Sequence, residues 1–136
     1  MLKTVYAYII IGLVLIFLDS LWLSVLAKQF YIDRLSALIE VNQGHIHFSL
    51  PAAMVVYFAL ITGLIFLVLP RAGRSLLQAA LYGALFGFVI YASYDFTNLA
   101  VLKAWRWDVA VVDTLWGMFL CASASVTGAY FLRYFD

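Results

Sequence analysis

Three aspartates stand where a carboxylate is costly. Asp19, Asp95 and Asp113 each fall inside an apolar run of bilayer length. A membrane tolerates such a group only where it is shielded or put to use. Around Asp95 the chain reads Tyr91-Ala92-Ser93-Tyr94-Asp95-Phe96-Thr97-Asn98. On a helix Tyr91, Tyr94, Asp95 and Asn98 recur at i, i+3, i+4 and i+7, which is one face. An acid, an amide and two phenols together suit cation binding, proton exchange or general acid–base work. Followed backwards, the same face carries Gly87 and Gly83, a spacing that lets another helix approach closely.

The other two acids share a four-residue pattern. Asp19-Ser20-Leu21-Trp22 is echoed by Asp113-Thr114-Leu115-Trp116. Asp and Trp at i, i+3 lie on one face, so each indole N–H is expected to serve the carboxylate of its own helix. Depth then brings the three acids together. Asp19 lies eight residues before Ala27, and Asp95 eight before Lys103, each roughly 12 Å inside its helix end. Asp113, five residues beyond Asp108, is roughly 7–8 Å in. Threading four spans up and down places all three in one leaflet. The pattern assigns Asp19, Asp95, Asn98 and Asp113 to ligand binding or proton exchange, with Trp22, Tyr91, Tyr94, Thr97 and Trp116 lining the site.

The energetics call for a partner. Inserting a carboxylate costs roughly 2.5–3.5 kcal/mol. Keeping it protonated at neutral pH costs about 4 kcal/mol from a reference pKa near 3.9. No Lys or Arg lies within a span, so relief must come from several sources. These are shared protons, Tyr, Asn, Thr and Trp donors, a bound cation, cavity water, or Lys28, Arg34, Lys103 and Arg106 reaching in. His45 and His47 enter from the same side; their rings share a face on an extended segment and diverge on a helix, which makes them only weak metal candidates. The residues leave any cofactor unknown, and no nucleophile elbow or phosphate loop is present.

The elements that must position these residues follow from composition. The chain has 136 residues, 67% of them hydrophobic and 11% charged, with mean hydropathy +1.05. Such a balance excludes an ordinary soluble domain, and a net charge of +1 without a basic run excludes a nucleic-acid arm. Four spans are predicted at about 5–27, 50–69, 76–102 and 109–132, within a single integral membrane domain, 1–136. The first is too long for a signal peptide, and Asp19 interrupts it. The polar connection after it predicts a short amphipathic helix at the interface, ended by a turn at Asn42-Gln43-Gly44. Pro70 is expected to close the second span. Cys121 is the single cysteine, so no internal disulfide forms. Gly117, Cys121, Ala124 and Gly128 form a small-residue stripe that suits internal packing or a homodimer equally well. Basic residues tie at four against four across the membrane, and the Arg71/Arg74 pair tips both termini towards the cytoplasm of a bacterial inner membrane.

On Leu18-Asp19-Ser20-Leu21-Trp22-Leu23, Tyr94 to Ala100, and Asp113 to Gly117, the chain resembles Domain of Unknown Function 2177, a family of small bacterial membrane proteins. The resemblance extends through Leu102-Lys103-Ala104-Trp105, where Arg106 replaces the family's usual Pro. It implies an all-α four-helix transmembrane bundle and brings no activity. The residues themselves favour a site that binds or transports a cation or cationic small molecule. An enzyme acting on a lipid or isoprenoid, and a non-catalytic assembly partner, are the alternatives.

Overall fold

The computed structural model describes residues 2–135. Four helices are long and apolar enough to cross a membrane: α1 Leu2–Leu26, α3 Leu50–Ala72, α4 Leu76–Val101 and α5 Trp107–Leu132. At ~1.5 Å per residue even the shortest exceeds the roughly 30 Å of a bilayer's hydrocarbon. The protein is therefore an all-α integral membrane bundle, as the hydropathy predicts. Between α1 and α3 lies the short interfacial helix α2, Lys28–Leu35.

Two features depart from expectation. The segment after α2 folds into an antiparallel pair, β1 Val41–Asn42 and β2 His45–Ile46, rather than a bare turn. Its two-residue loop puts Gln43 at φ 50° and Gly44 at φ 78°, the left-handed pair a tight hairpin requires. Pro70, in turn, does not close α3. The helix widens to a π-helical stretch at Leu64–Val68 and continues to Ala72. Pro lacks the N–H that regular bonding needs, and the wider turn accommodates its ring. Gly73, at φ 55°, then ends the helix.

α5 is the central helix and packs on α1, α3 and α4. Its small stripe is consumed inside the bundle: Gly117, Cys121, Ala124 and Gly128 are all buried. A Cβ added at Gly87 of α4 would lie 2.7 Å from the Gly117 carbonyl carbon. One at Gly83 would lie 2.7 Å from the Cys121 carbonyl oxygen, and one at Gly128 would lie 2.8 Å from Ile11 Cδ1. Backbone contact of this kind replaces the hydrophobic drive that lipid removes. Ile11, Leu15, Leu64 and Leu120 fill the space left between.

At Gly87 the obstructing atoms are all backbone and cannot rotate away; at Gly83 they are the Cys121 carbonyl oxygen and the Ser125 side chain. Gly87→Ala or Gly83→Ala should cost about 1–3 kcal/mol, as overpacking does. Gly12→Ala meets only the Ile61 Cδ1 methyl, at 3.2 Å, and should cost less. Thermal unfolding in detergent checks this order.

Candidate carboxylate site

α1 and α5 meet through their tryptophans. The Trp22 and Trp116 rings stack with centroids 4.3 Å apart and planes 4° from parallel. Neither indole serves the acid of its own helix, which corrects the pairing expected from i, i+3 spacing: Trp116 donates to the acid of α1, and Trp22 reaches that of α5 only through Tyr31. Trp116 Nε1 donates to Asp19 Oδ1 at 3.0 Å. Trp22 Nε1 donates to the Tyr31 hydroxyl at 3.1 Å, and that hydroxyl donates to Asp113 Oδ1 at 2.6 Å. The helices run antiparallel, so the repeated Asp-then-Trp order is reversed in depth between them. Trp116, eight residues past Asp108, reaches the roughly 12 Å level of Asp19. Trp22, five before Ala27, reaches the roughly 7–8 Å level of Asp113. Stacking adds its own preference for this arrangement.

Asp19 is fully engaged. Its second oxygen, Oδ2, accepts from the Tyr57 hydroxyl at 2.8 Å, so one carboxylate ties α1, α3 and α5. Asp113 holds one donor, Tyr31. Burial, the charge of Asp113 and the hydrogen bond to it all push the Tyr31 phenol above its ordinary value, so it stays neutral and donates.

Asp95 is the exception. It is 0% exposed, and neither carboxyl oxygen has a hydrogen bond of normal geometry. It lies within electrostatic reach of Asp113 and beside Trp105, whose buried Nε1 also lacks a partner. Helix α2 and the hairpin close this end. Ala27, Tyr31, Leu35 and Val109 are buried beneath them, with Trp22 and Trp105 packed alongside. Two of the four basic side chains expected to reach the acids, Arg34 and Arg106, are engaged elsewhere. Arg34 Nε binds Asp108 Oδ2 at 2.7 Å while its guanidinium lies 4.1 Å over Phe30, and Arg106 Nε binds Asp108 Oδ1 at 3.0 Å. Among the described residues no ion pair involves Asp19, Asp95 or Asp113.

A cavity of about 420 Å³ borders Asp113, and Asp95 lies behind its wall rather than in it. Its wall includes Leu60, Phe86, Tyr91, Tyr94 and Asp113. α3 meets α4 at its middle, where Phe86 covers Gly63, and the two stand apart nearer the acids. Val56, Ile90 and Tyr94 line the cavity yet are exposed on the outer face, so it opens sideways.

The remaining predicted residues are distributed as follows. Tyr91 is half-buried over Gly117, and Tyr94 is exposed with its ring edge-on to Trp105 at 5.8 Å. Thr97 is exposed. Asn98 is half-buried and, among the described residues, makes no side-chain hydrogen bond. His45 and His47 are exposed, and His47 Nδ1 sits 3.5 Å from Glu40 Oε2. No group of three or more His, Cys, Asp or Glu suited to a metal occurs among the described residues. Sequence reading missed Tyr31, Tyr57 and the inward place of Trp105. Tyr57 had a usable signal, since seven residues past Leu50 puts it roughly 10 Å deep, near the level of Asp19.

Across residues 4–130 the chain matches the family described as predicted membrane protein DUF2177. It belongs to that family. No curated protein and no solved structure matches the chain. The DUF2177 assignment agrees with four spanning helices and carries no activity, so function must be argued from the residues.

Tyr57→Phe and Trp116→Phe each remove one donor from Asp19 while keeping an aromatic ring. Each should destabilise the protein by about 1–3 kcal/mol, the cost of a buried acceptor left unsatisfied. Circular dichroism gives a second readout: an exciton couplet from the stacked indoles, abolished by Trp22→Phe or Trp116→Phe and retained in Tyr57→Phe.

Proposed function

We propose that Asp95 and Asp113 form a binding site for an organic cation, an amine or quaternary ammonium on an apolar body, taken up in exchange for a proton. The observation that carries this reading is Asp95: fully buried, unpartnered at both oxygens, and beside a second carboxyl. Two charges side by side and away from water repel strongly, so the site calls for a positive occupant. A hard metal ion is the poorer candidate, since calcium takes six to eight oxygens and the pair supplies fewer.

The adjoining cavity supports an organic ligand. Phe86, Tyr91 and Tyr94 offer aromatic faces to a cation, and about 420 Å³ is in the range of small-molecule sites. Its sideways opening between α3 and α4 suits a ligand arriving from the bilayer. In this reading Asp19 braces the helices, and Asp95 and Asp113 exchange ligand for proton. Placement in a bacterial inner membrane with both termini cytoplasmic would turn the acids towards the outer leaflet.

Binding of tetraphenylphosphonium and dodecylamine to the purified protein in detergent, with dodecanol as the neutral control, tests the reading. Both cations should bind saturably and dodecanol should not. Asp95→Asn and Asp113→Asn should each weaken binding ten- to hundredfold, matching the loss of about 1.5–3 kcal/mol for a charged contact. Asp95→Asn should leave the fold intact, because the group it alters makes no hydrogen bond of normal geometry and the amide keeps its size. Equal binding of dodecanol, or unchanged affinity in both variants, contradicts the proposal.

A further inference from the structure

At the far end of the bundle from Asp95 the chain lines a second cavity, of about 290 Å³, with the opposite chemistry. Its walls are apolar where Ala7, Ile65, Leu69 and Leu132 face it. Three cationic residues also line it, Lys3, Arg74 and Arg133, and no acid does among the described residues. They come from three separate places: the first turn of α1, the α3–α4 connection, and the short 3-10 turn after α5. All three lie at helix ends, at the level where a bilayer carries its phosphates. The left-handed Gly73 turns the chain just before Arg74. Arg133 Nη2 donates to the Arg74 carbonyl, which joins two of the three segments. That bond uses one of the five N–H donors a guanidinium offers.

We propose that this cavity binds the headgroup of an anionic phospholipid, the phosphate held by Arg74 and Arg133 and an acyl chain lying on the apolar wall. Guanidinium groups match phosphate oxygens two at a time, which favours this anion over a point-charge partner. Basic pockets between spanning helices recur as sites for acidic lipids. A free phosphate would satisfy the cations and leave the apolar wall unused. The inference stands apart from the carboxylate site, and Asp95→Asn should leave it unaltered.

Thermal unfolding in a neutral detergent, with native mass spectrometry to count retained lipids, provides the test. Short-chain phosphatidylglycerol should raise the midpoint saturably, by several degrees, and one lipid should be retained. Phosphatidylcholine of the same chain length and inorganic phosphate at the same concentration should do neither. Arg74→Gln is the decisive variant, because the Arg74 carbonyl that holds Arg133 survives the change. It should weaken the phosphatidylglycerol response five- to tenfold, and Lys103→Gln at the opposite end should not. Equal protection by phosphatidylcholine or by inorganic phosphate overturns the proposal. So does an undiminished response in Arg74→Gln, or an equal loss in Lys103→Gln.

Discussion

A carboxyl group inside a spanning helix must be given donors or a positive partner, and the three acids of this protein are supplied very unequally. Asp19 has a donor on each oxygen, from Trp116 and Tyr57. Asp113 has Tyr31. Asp95 has none. The satisfied end of this series is architecture, because the donors to Asp19 sit on two other helices and fix how α1, α3 and α5 meet. The unsatisfied end, Asp95, holds no helix through a hydrogen bond of normal geometry. Unpaired buried polar groups are costly, which sets Asp95 apart from the other two acids.

The packing explains how such a site persists. α4 and α5 lie backbone to backbone through Gly83, Gly87 and Gly117, which holds Asp95 and Asp113 on facing helices. The stacked indoles fix α1 against α5. Near the acids α3 is held to α1 through Tyr57 and Asp19 but stands away from α4, which it meets from Gly63 onwards, and the cavity lies in the space between them. The space for the cavity thus lies on the α4-facing flank of α3.

Much of this was legible in the sequence. Hydropathy located the spans, and residue counts placed three acids at similar depth, because both follow from helical rise alone. The small stripes were visible too, though only packing could show them spent within the chain. The tryptophan pairing is not legible along one helix: spacing alone pairs each Asp with its own Trp, whereas the antiparallel run of α1 and α5 matches Trp116 to Asp19 in depth and Trp22 to Asp113. Tyr31 reads as one more apolar position of an amphipathic helix, and nothing local reveals that it folds back onto Asp113. The hairpin escaped because strands of two residues carry no period, and the passage of α3 through Pro70 depends on a π-helical stretch that hydropathy does not mark.

The most direct measurement is the proton count on ligand binding. Titration calorimetry of tetraphenylphosphonium into the protein, repeated in buffers of different ionisation enthalpy, gives the protons released per cation bound. Exchange at a shared carboxyl pair predicts about one proton released by the native protein near neutral pH, tighter binding as pH rises, and release abolished in the Asp95→Asn, Asp113→Asn double variant. Saturable binding with no proton released at any pH, or release that survives in the double variant, would contradict the account.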